Sequence, residues 1–398
     1  MPARRLIVLL CLTGATTTVS IGAFPALLPE LGVAGGLADW QIGAVAGTFG
    51  LARMLSNLPV GLFITHHLGR ALVLAPGLML GGALLLATAG GFGTLVLGRA
   101  LMGVGHTLTM LGGLTAILRH RAGPGLASSL NAVEFSAMLG VLSGATLLSV
   151  LPRSVPWNAA LLLACAPIAA NLFLLPALRR TLPGVANSGA RPLFARSQEG
   201  STPGGGDAAA VLRPAPMLAL LAVTAGAAVA VSYSTVEQFA IPLRGSREFG
   251  LDRAGIARLL MLSQIVDVVT LLPLGTLADR RGTPVVLGSV LLVFAAALAL
   301  IGFGTLPLVT VGCALFGFSM AGWMLPLSIL RAVTPPAQVA WRTALYRVSV
   351  DGGMFAGPFV SGLLGARHAG VLPGVMMVVL TTVGLVLLVH AWLTARSR

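Results

Sequence analysis

The sequence predicts an all-α membrane protein of twelve transmembrane helices, arranged as two six-helix pseudo-repeats with both termini cytoplasmic. Three observations predict it. Charged residues make up 9% of the chain and hydrophobic ones 56%, with a mean hydropathy of +0.95, whereas a soluble domain carries roughly a quarter charged residues to clothe its surface. Apolar stretches of about 20 residues, each able to cross the hydrocarbon layer of a bilayer, recur along the chain. A pattern of residues in the first half returns in the second at matching spacing.

Reading the apolar stretches between Gly, Pro and charged interruptions places spans at 6–29, 40–64, 71–90, 94–117, 125–150, 158–178, 216–241, 255–277, 284–303, 308–330, 342–365 and 370–394. Helices are expected because the alternation of a barrel strand is absent and lipid offers no water to an open backbone. The first span follows Arg4 and Arg5 as a signal sequence would, but its apolar run from Leu6 to Leu28 is too long for a signal core, so it is read as a retained helix. Residues 1–178 form the first bundle and 216–398 the second. Residues 179–215, rich in Gly, Ser and Pro without helical periodicity, form a flexible cytoplasmic linker.

All 25 basic residues are arginine. With the termini inside, 15 fall in cytoplasmic segments against 5 outside, and leaving out the central linker the balance is still 10 against 5. This satisfies the positive-inside rule for a multi-pass protein of a bacterial inner membrane. The arginines stand singly or in pairs between apolar runs, without a basic face, so no nucleic-acid partner is expected. Cys11, Cys165 and Cys313 lie apart inside apolar segments, with no spacing for a metal or a disulfide framework, and read as small core residues. No metal and no cofactor are expected. The lipid bilayer is the solvent, and the chain is expected to act as a monomer.

The repeat is specific. LGRALMGVGHTLTMLGGLTAILR leads to a span containing MLGVLSG, and VGCALFGFSMAGWMLPLSILR leads to one containing MFAGPFVSG; Arg119 stands 25 residues before Gly144 and Arg331 stands 26 before Gly357. GAVAG at 43–47 and GVLSG at 140–144 read as packing seams, since small residues let helices approach in lipid.

Between spans 8 and 9 stands GTLADRRG, Gly275 to Gly282. This resembles the signature loop of the major facilitator superfamily, G-x-L-A-D-R-x-G. RALMGVGHT from Arg99 resembles the family's fourth-helix pattern, and GMFAGPFVSG, with Gly353, Gly357 and Pro358, resembles its G-x-x-x-G-P helix-packing motif. The six-loop-six layout extends the resemblance over nearly the whole chain. The matching first-half loop, GLFITHHLGR, has Thr65 and His66 where the family has an acid and a base, and the fifth span lacks the proline of the drug/proton antiporter branch. The resemblance to that branch is therefore weaker. In the intact loop, Gly275 and Gly282 would permit close helix approach and a tight turn, while Asp279 and Arg280 would pair with a neighbouring segment as a conformational latch.

Ionisable groups inside a span cost at least about 2–3 kcal/mol, so each must be paired, solvated or functional. Arg53 lies eight residues before Gly61 and Asp267 eight before Gly275, so they hold matching places in spans 2 and 8. If the fold follows the family, spans 2 and 11 meet, as do 5 and 8, so Arg53 can face Asp351 and Glu134 can face Asp267. Glu134, Asp267 and Asp351 are the proton-coupling candidates, because neighbouring carboxylates in low dielectric cannot both ionise easily. Separate satisfaction of each acid by hydroxyls or an arginine is the competing reading. Arg347 and Asp351, four apart on a helix, read as a local pair. Substrate or cavity candidates are Arg53, Arg99, His106, Tyr233, Glu237 and Trp323. Arg99 matches the family's functional arginine, and His106 lies two turns along the same face, where a hydrogen-bonded core imidazole is the simpler reading. Glu237 in YSTVEQF suits a wall facing substrate, or else reaches interfacial water.

The resemblance implies secondary active transport by alternating access around a cavity lined by spans 1, 4, 7 and 10, coupled to protons. It favours efflux of a small amphipathic compound; uptake of a metabolite by proton symport is the alternative, and a non-transporting sensor a remote one. No nucleotide-binding loop and no arrangement of nucleophile and base occur, so an enzyme is not expected.

Overall fold

A computed structural model describes residues 2–120, 126–182, 216–335, 338–365 and 368–396. Most of the expected linker, from residue 183 onward, lies outside the described residues. Lipid leaves backbone groups no partner but the next turn, so the apolar runs become helices, and no strand occurs among the described residues.

The first helices are α1 (Pro2–Ala34), α2 (Asp39–Ala87), α3 (Phe92–His120), α4 (Leu126–Val150) and α5 (Trp157–Thr181). After the linker come α6 (Pro216–Thr235), a single π-helical turn (Val236–Ala240), α7 (Ile241–Arg247), α8 (Arg253–Arg281) and α9 (Thr283–Phe303). The chain ends with α10 (Leu306–Met320), α11 (Leu325–Ala332), α12 (Val339–Leu364) and α13 (Val371–Arg396). Ten helical stretches are long and apolar enough to cross a membrane; α6, the π-turn and α7 form one of them, and α10 with α11 another. The chain is a multi-pass membrane protein. Its lipid-facing side is shown by exposed large apolar side chains, among them Leu58, Leu272 and Phe173.

Spans 2 and 3 follow one another without an open loop: α2 is two helices that meet at a kink at His67, within the 65–70 connection expected between them. Its 49 residues, at 1.5 Å each, amount to about 73 Å of helix, enough to cross the hydrocarbon layer once on each side of the kink. At His67 φ is −132° and ψ is 41°, outside the helical region, and there one helix ends and the next begins. In the second half the corresponding turn falls at Gly282, whose φ of 90° a side chain would resist. The helix α12 is not among the apolar ten, because Arg342, Arg347 and Asp351 interrupt it.

Helices α1, α4 and α5 pack together, as do α2 and α3; α9 packs on α10 and α13, and α6 on α12. The two sets meet where α2 packs against α12 and α4 against α8. Glycines make these approaches possible. A side chain on Gly43 would overlap the Pro358 carbonyl, and a Cβ on Gly47 would stand 2.7 Å from the Phe355 oxygen. Gly353 approaches Ala230 and Gly357 approaches Ser234, both on α6, while Gly140 and Gly144 lie against the α1 backbone.

Candidate functional site

The charged residues that the sequence scatters over several spans converge where the two helix sets meet. Arg53 and Asn57, one turn apart on α2, grip Asp351 on α12: Arg53 Nη2 stands 2.9 Å from Oδ1, and Asn57 Nδ2 donates to Oδ2 at 2.6 Å. Asp351 is buried and Arg53 is one-quarter exposed at its side chain. The local pair expected between Arg347 and Asp351 is not formed, because Asp351 turns to α2; Arg347 is exposed and is instead the first cation in Coulombic range of Glu134, followed by Arg53.

A second group surrounds the π-turn. Tyr233 on α6 donates its hydroxyl to Glu237 Oε1 at 2.8 Å, and Gln264 Nε2 on α8 donates to Oε2 at 3.1 Å. Glu237 is 2% exposed, so the reading in which it reaches interfacial water is corrected. The inserted residue of a π-turn re-aims the side chains it carries, which directs Glu237 inward. Asp267, one turn along α8 from Gln264, is buried with Oδ1 unpartnered, and its acidic neighbours in Coulombic range are Glu237 first and Glu134 second. The break between α10 and α11 at 321–324 brings Trp323 edge-on to Tyr233, with ring centroids 5.7 Å apart, while Phe316 stacks on Tyr233 at 6.1 Å.

Arg99, on α3, reaches the rings of Phe24 on α1 and Phe49 on α2. It is 2% exposed, its guanidinium carbon stands 3.7 Å from the Phe24 ring centroid and 4.9 Å from that of Phe49, and its Nε and Nη1 lack hydrogen-bond partners. His106 packs on the same Phe49 ring at 5.4 Å, with Nδ1 unpartnered. Arg53, Arg99 and His106 thus surround Phe49, and Glu237, Asp267, Tyr233 and Trp323 gather on α6 to α11. Among the described residues, no group of three His, Cys, Asp or Glu side chains could hold a metal.

The helix sets are also tied at the end that the sequence assigns to the outside. Arg253, 4% exposed at the start of α8, donates to the Pro152 and Val155 carbonyls at 3.1 and 3.0 Å and pairs with Glu30 on α1 at 3.2 Å. Arg247 pairs with Asp39 at 2.7 Å, and Arg153 with Asp252. Asp252 also caps α8, accepting from the Gly255 amide at 2.9 Å; that bond, with Arg153, holds its carboxyl below the usual aspartate range. None of these residues was a site candidate in the sequence, although acids are so sparse that Glu30, Asp39 and Asp252 in segments flanking one end were a signal.

The opposite end differs. Asp279 and Arg280 are exposed and make no hydrogen bond or ion pair among the described residues, and a Cβ on Gly275 would meet nothing within 4 Å. Gly275 therefore does not serve the close helix approach expected of it; Gly282 does form the tight turn. In the first half, Arg119 Nη2 donates to the Thr65 carbonyl at 2.8 Å, tying α3 to α2 within one set.

Compared by sequence, the chain matches no protein-family model and no curated protein. Compared by structure, it matches transporters. A peptide transporter, POT, superposes with a TM-score of 0.73 at 14% identity, covering 97% of this chain and 94% of that one. The nucleoside transporter NupG gives a TM-score of 0.73 at 14% identity, over 97% and 99% of the two chains. The human organic anion transporter MFSD10 gives 0.64 at 19% identity, over 98% and 100%. The chain has the fold of the major facilitator transporters.

Proposed function

We propose that the protein is a secondary active transporter that moves a small solute by alternating access, coupled to protons, in a bacterial inner membrane. Residues 1–178 and 216–398 act as two six-helix bundles joined by the 179–215 linker, and they rock about the charged groups between them. The observation that carries this reading is the asymmetry of the two ends. Three ion pairs and the glycine seam of α2 with α12 join the sets at one end, while Asp279 and Arg280, in the last turn of α8 at the other, make no such tie among the described residues. That is what a carrier caught with one gate shut and the other released would show, with Asp279 and Arg280 latching the second gate in the alternate state.

Proton coupling is supported by acids kept where they are expensive. Glu134, Asp267 and Asp351 stand on three helices where the sets meet, and the charged groups acting on Asp267 are two acids, Glu237 and Glu134. Proton uptake by Asp267 would relieve the repulsion from Glu237 and Glu134; Tyr233 and Arg53 are the other groups facing this cluster. Efflux of a small amphipathic compound is the direction we adopt, on the aromatic wall of Tyr233, Phe316 and Trp323 beside acids. The test is transport in reconstituted vesicles under an imposed proton gradient, with a panel of amphipathic compounds and metabolites. Solute movement against its own gradient, opposite to the proton, supports export; movement with the proton supports symport. No movement of any solute, in protein shown to be folded, refutes the transporter.

A further inference from the structure

The charges where the helix sets meet do not balance locally, and the imbalance falls in one place. Asp351 has Arg53 and Asn57, and Glu134 has Arg347 and Arg53 in range. Glu237 receives two neutral donors, Tyr233 and Gln264, one on each oxygen, which is how a carboxylate is held as an acceptor. Asp267, more than nine-tenths buried, faces the same pair with an unpartnered Oδ1. Neither acid forms an ion pair among the described residues, and Arg99 is enclosed by Phe24 and Phe49.

We infer that Glu237 and Asp267, with Tyr233 and Trp323, form a recognition site for a monovalent organic cation bearing apolar groups, such as a substituted ammonium or phosphonium. Two adjacent carboxylates in low dielectric are relieved by a proton or by a cation, and Arg53, which faces this cluster, is already held by Asp351. The aromatic rings add to this: Tyr233 is stacked on Phe316 and meets the edge of Trp323, and the negative faces of such rings attract a cation while their area takes apolar substituents. Tyr233 and Trp323 are half-buried and Met324 is exposed, so the wall is not fully enclosed by protein. An anion would meet two like charges, and a neutral ligand would bring nothing to offset them in place of a proton. A zwitterion would need a free cation for its acidic group, and Arg53 is already held by Asp351.

This inference rests on the transport reading, since it assigns the solute class of the same region. The test is equilibrium binding of radiolabelled tetraphenylphosphonium to the purified full-length protein, with tetraphenylborate as an anionic competitor of the same shape. The cation is expected to bind and the borate not to displace it. Glu237→Gln and Asp267→Asn should each weaken binding about tenfold or more. Displacement by the borate as effective as by unlabelled cation would overturn the inference, as would wild-type affinity in both variants. If a variant fails to fold by gel filtration, the cation-against-anion comparison on the wild type decides alone. Vesicles that carry some solute while the protein shows no cation preference overturn this inference and spare the transport reading. Cation-selective binding without movement of any solute upholds the site and overturns transport.

Discussion

Replacing Arg253 with alanine should open the end of the molecule at which it lies. Its buried guanidinium donates to two carbonyls of the α4–α5 connection and pairs with Glu30 on α1, so one side chain joins α8 to two elements of the other helix set. Hydrogen bonds from a charged donor are worth ~1.5–3 kcal/mol each, and the ion pair adds about 0–1 because Glu30 is 40% exposed and screened. Water takes over these partners when the sets separate, so the difference between closed and open states is a fraction of the sum, about 2 kcal/mol, or roughly thirtyfold in the equilibrium. The assay is double electron–electron resonance between spin labels on Ser154→Cys and Ser246→Cys, in a background with Cys11, Cys165 and Cys313 replaced. The Arg253→Ala protein should show a new population at longer distance, and Arg253→Lys an intermediate one, since an ammonium cannot reproduce the fork. An unchanged distance distribution in Arg253→Ala would refute the reasoning.

Three further outcomes follow from the same geometry. Asp351→Asn leaves Arg53 without its counter-charge and should cost ~2–3 kcal/mol, less than a fully buried pair because Arg53 is a quarter exposed; Tm in detergent should fall, and recover in Arg53→Met with Asp351→Leu. Gly47→Val, which would collide with the Phe355 carbonyl, should abolish monodisperse protein on gel filtration, whereas Gly61→Ala, with nothing within 4 Å, should be neutral or stabilising by about 0.5–1 kcal/mol. Asp252 has a folded-state pKa below its unfolded value, so its contribution is present above the unfolded range near about pH 4 and is lost as pH falls through the depressed value. The Tm difference between wild type and Asp252→Asn should therefore shrink on acidification below that range; a constant difference would contradict it.

The fold was legible because lipid makes the mapping from sequence simple: an apolar run with no outside partner for its backbone must be a helix. What the sequence could not show was where a helix is locally deformed. The π-turn at Glu237 and the break beside Trp323 both depend on packing between helices distant in sequence. The charged residues announced themselves by their cost in a membrane, but their partners did not. Asp351 has Arg347 one turn away and yet pairs with Arg53, because the α2–α12 seam of glycines brings α2 closer than a local rotamer would suggest. Asn57 and Gln264 went unremarked because an amide in a span is cheaper than a charge and stands out less. Arg253 looked like a loop arginine until the fold placed it between two helix sets.

Proton movement tests the account most directly. Full-length protein in vesicles loaded with a pH-sensitive dye should release or admit protons when a transported solute is added, at a rate proportional to solute flux. The double variant Glu134→Gln with Asp267→Asn should retain its fold and lose solute-dependent proton flux. Proton flux of wild-type magnitude in that variant, or solute flux in the wild type with no accompanying protons, would contradict coupling through these acids.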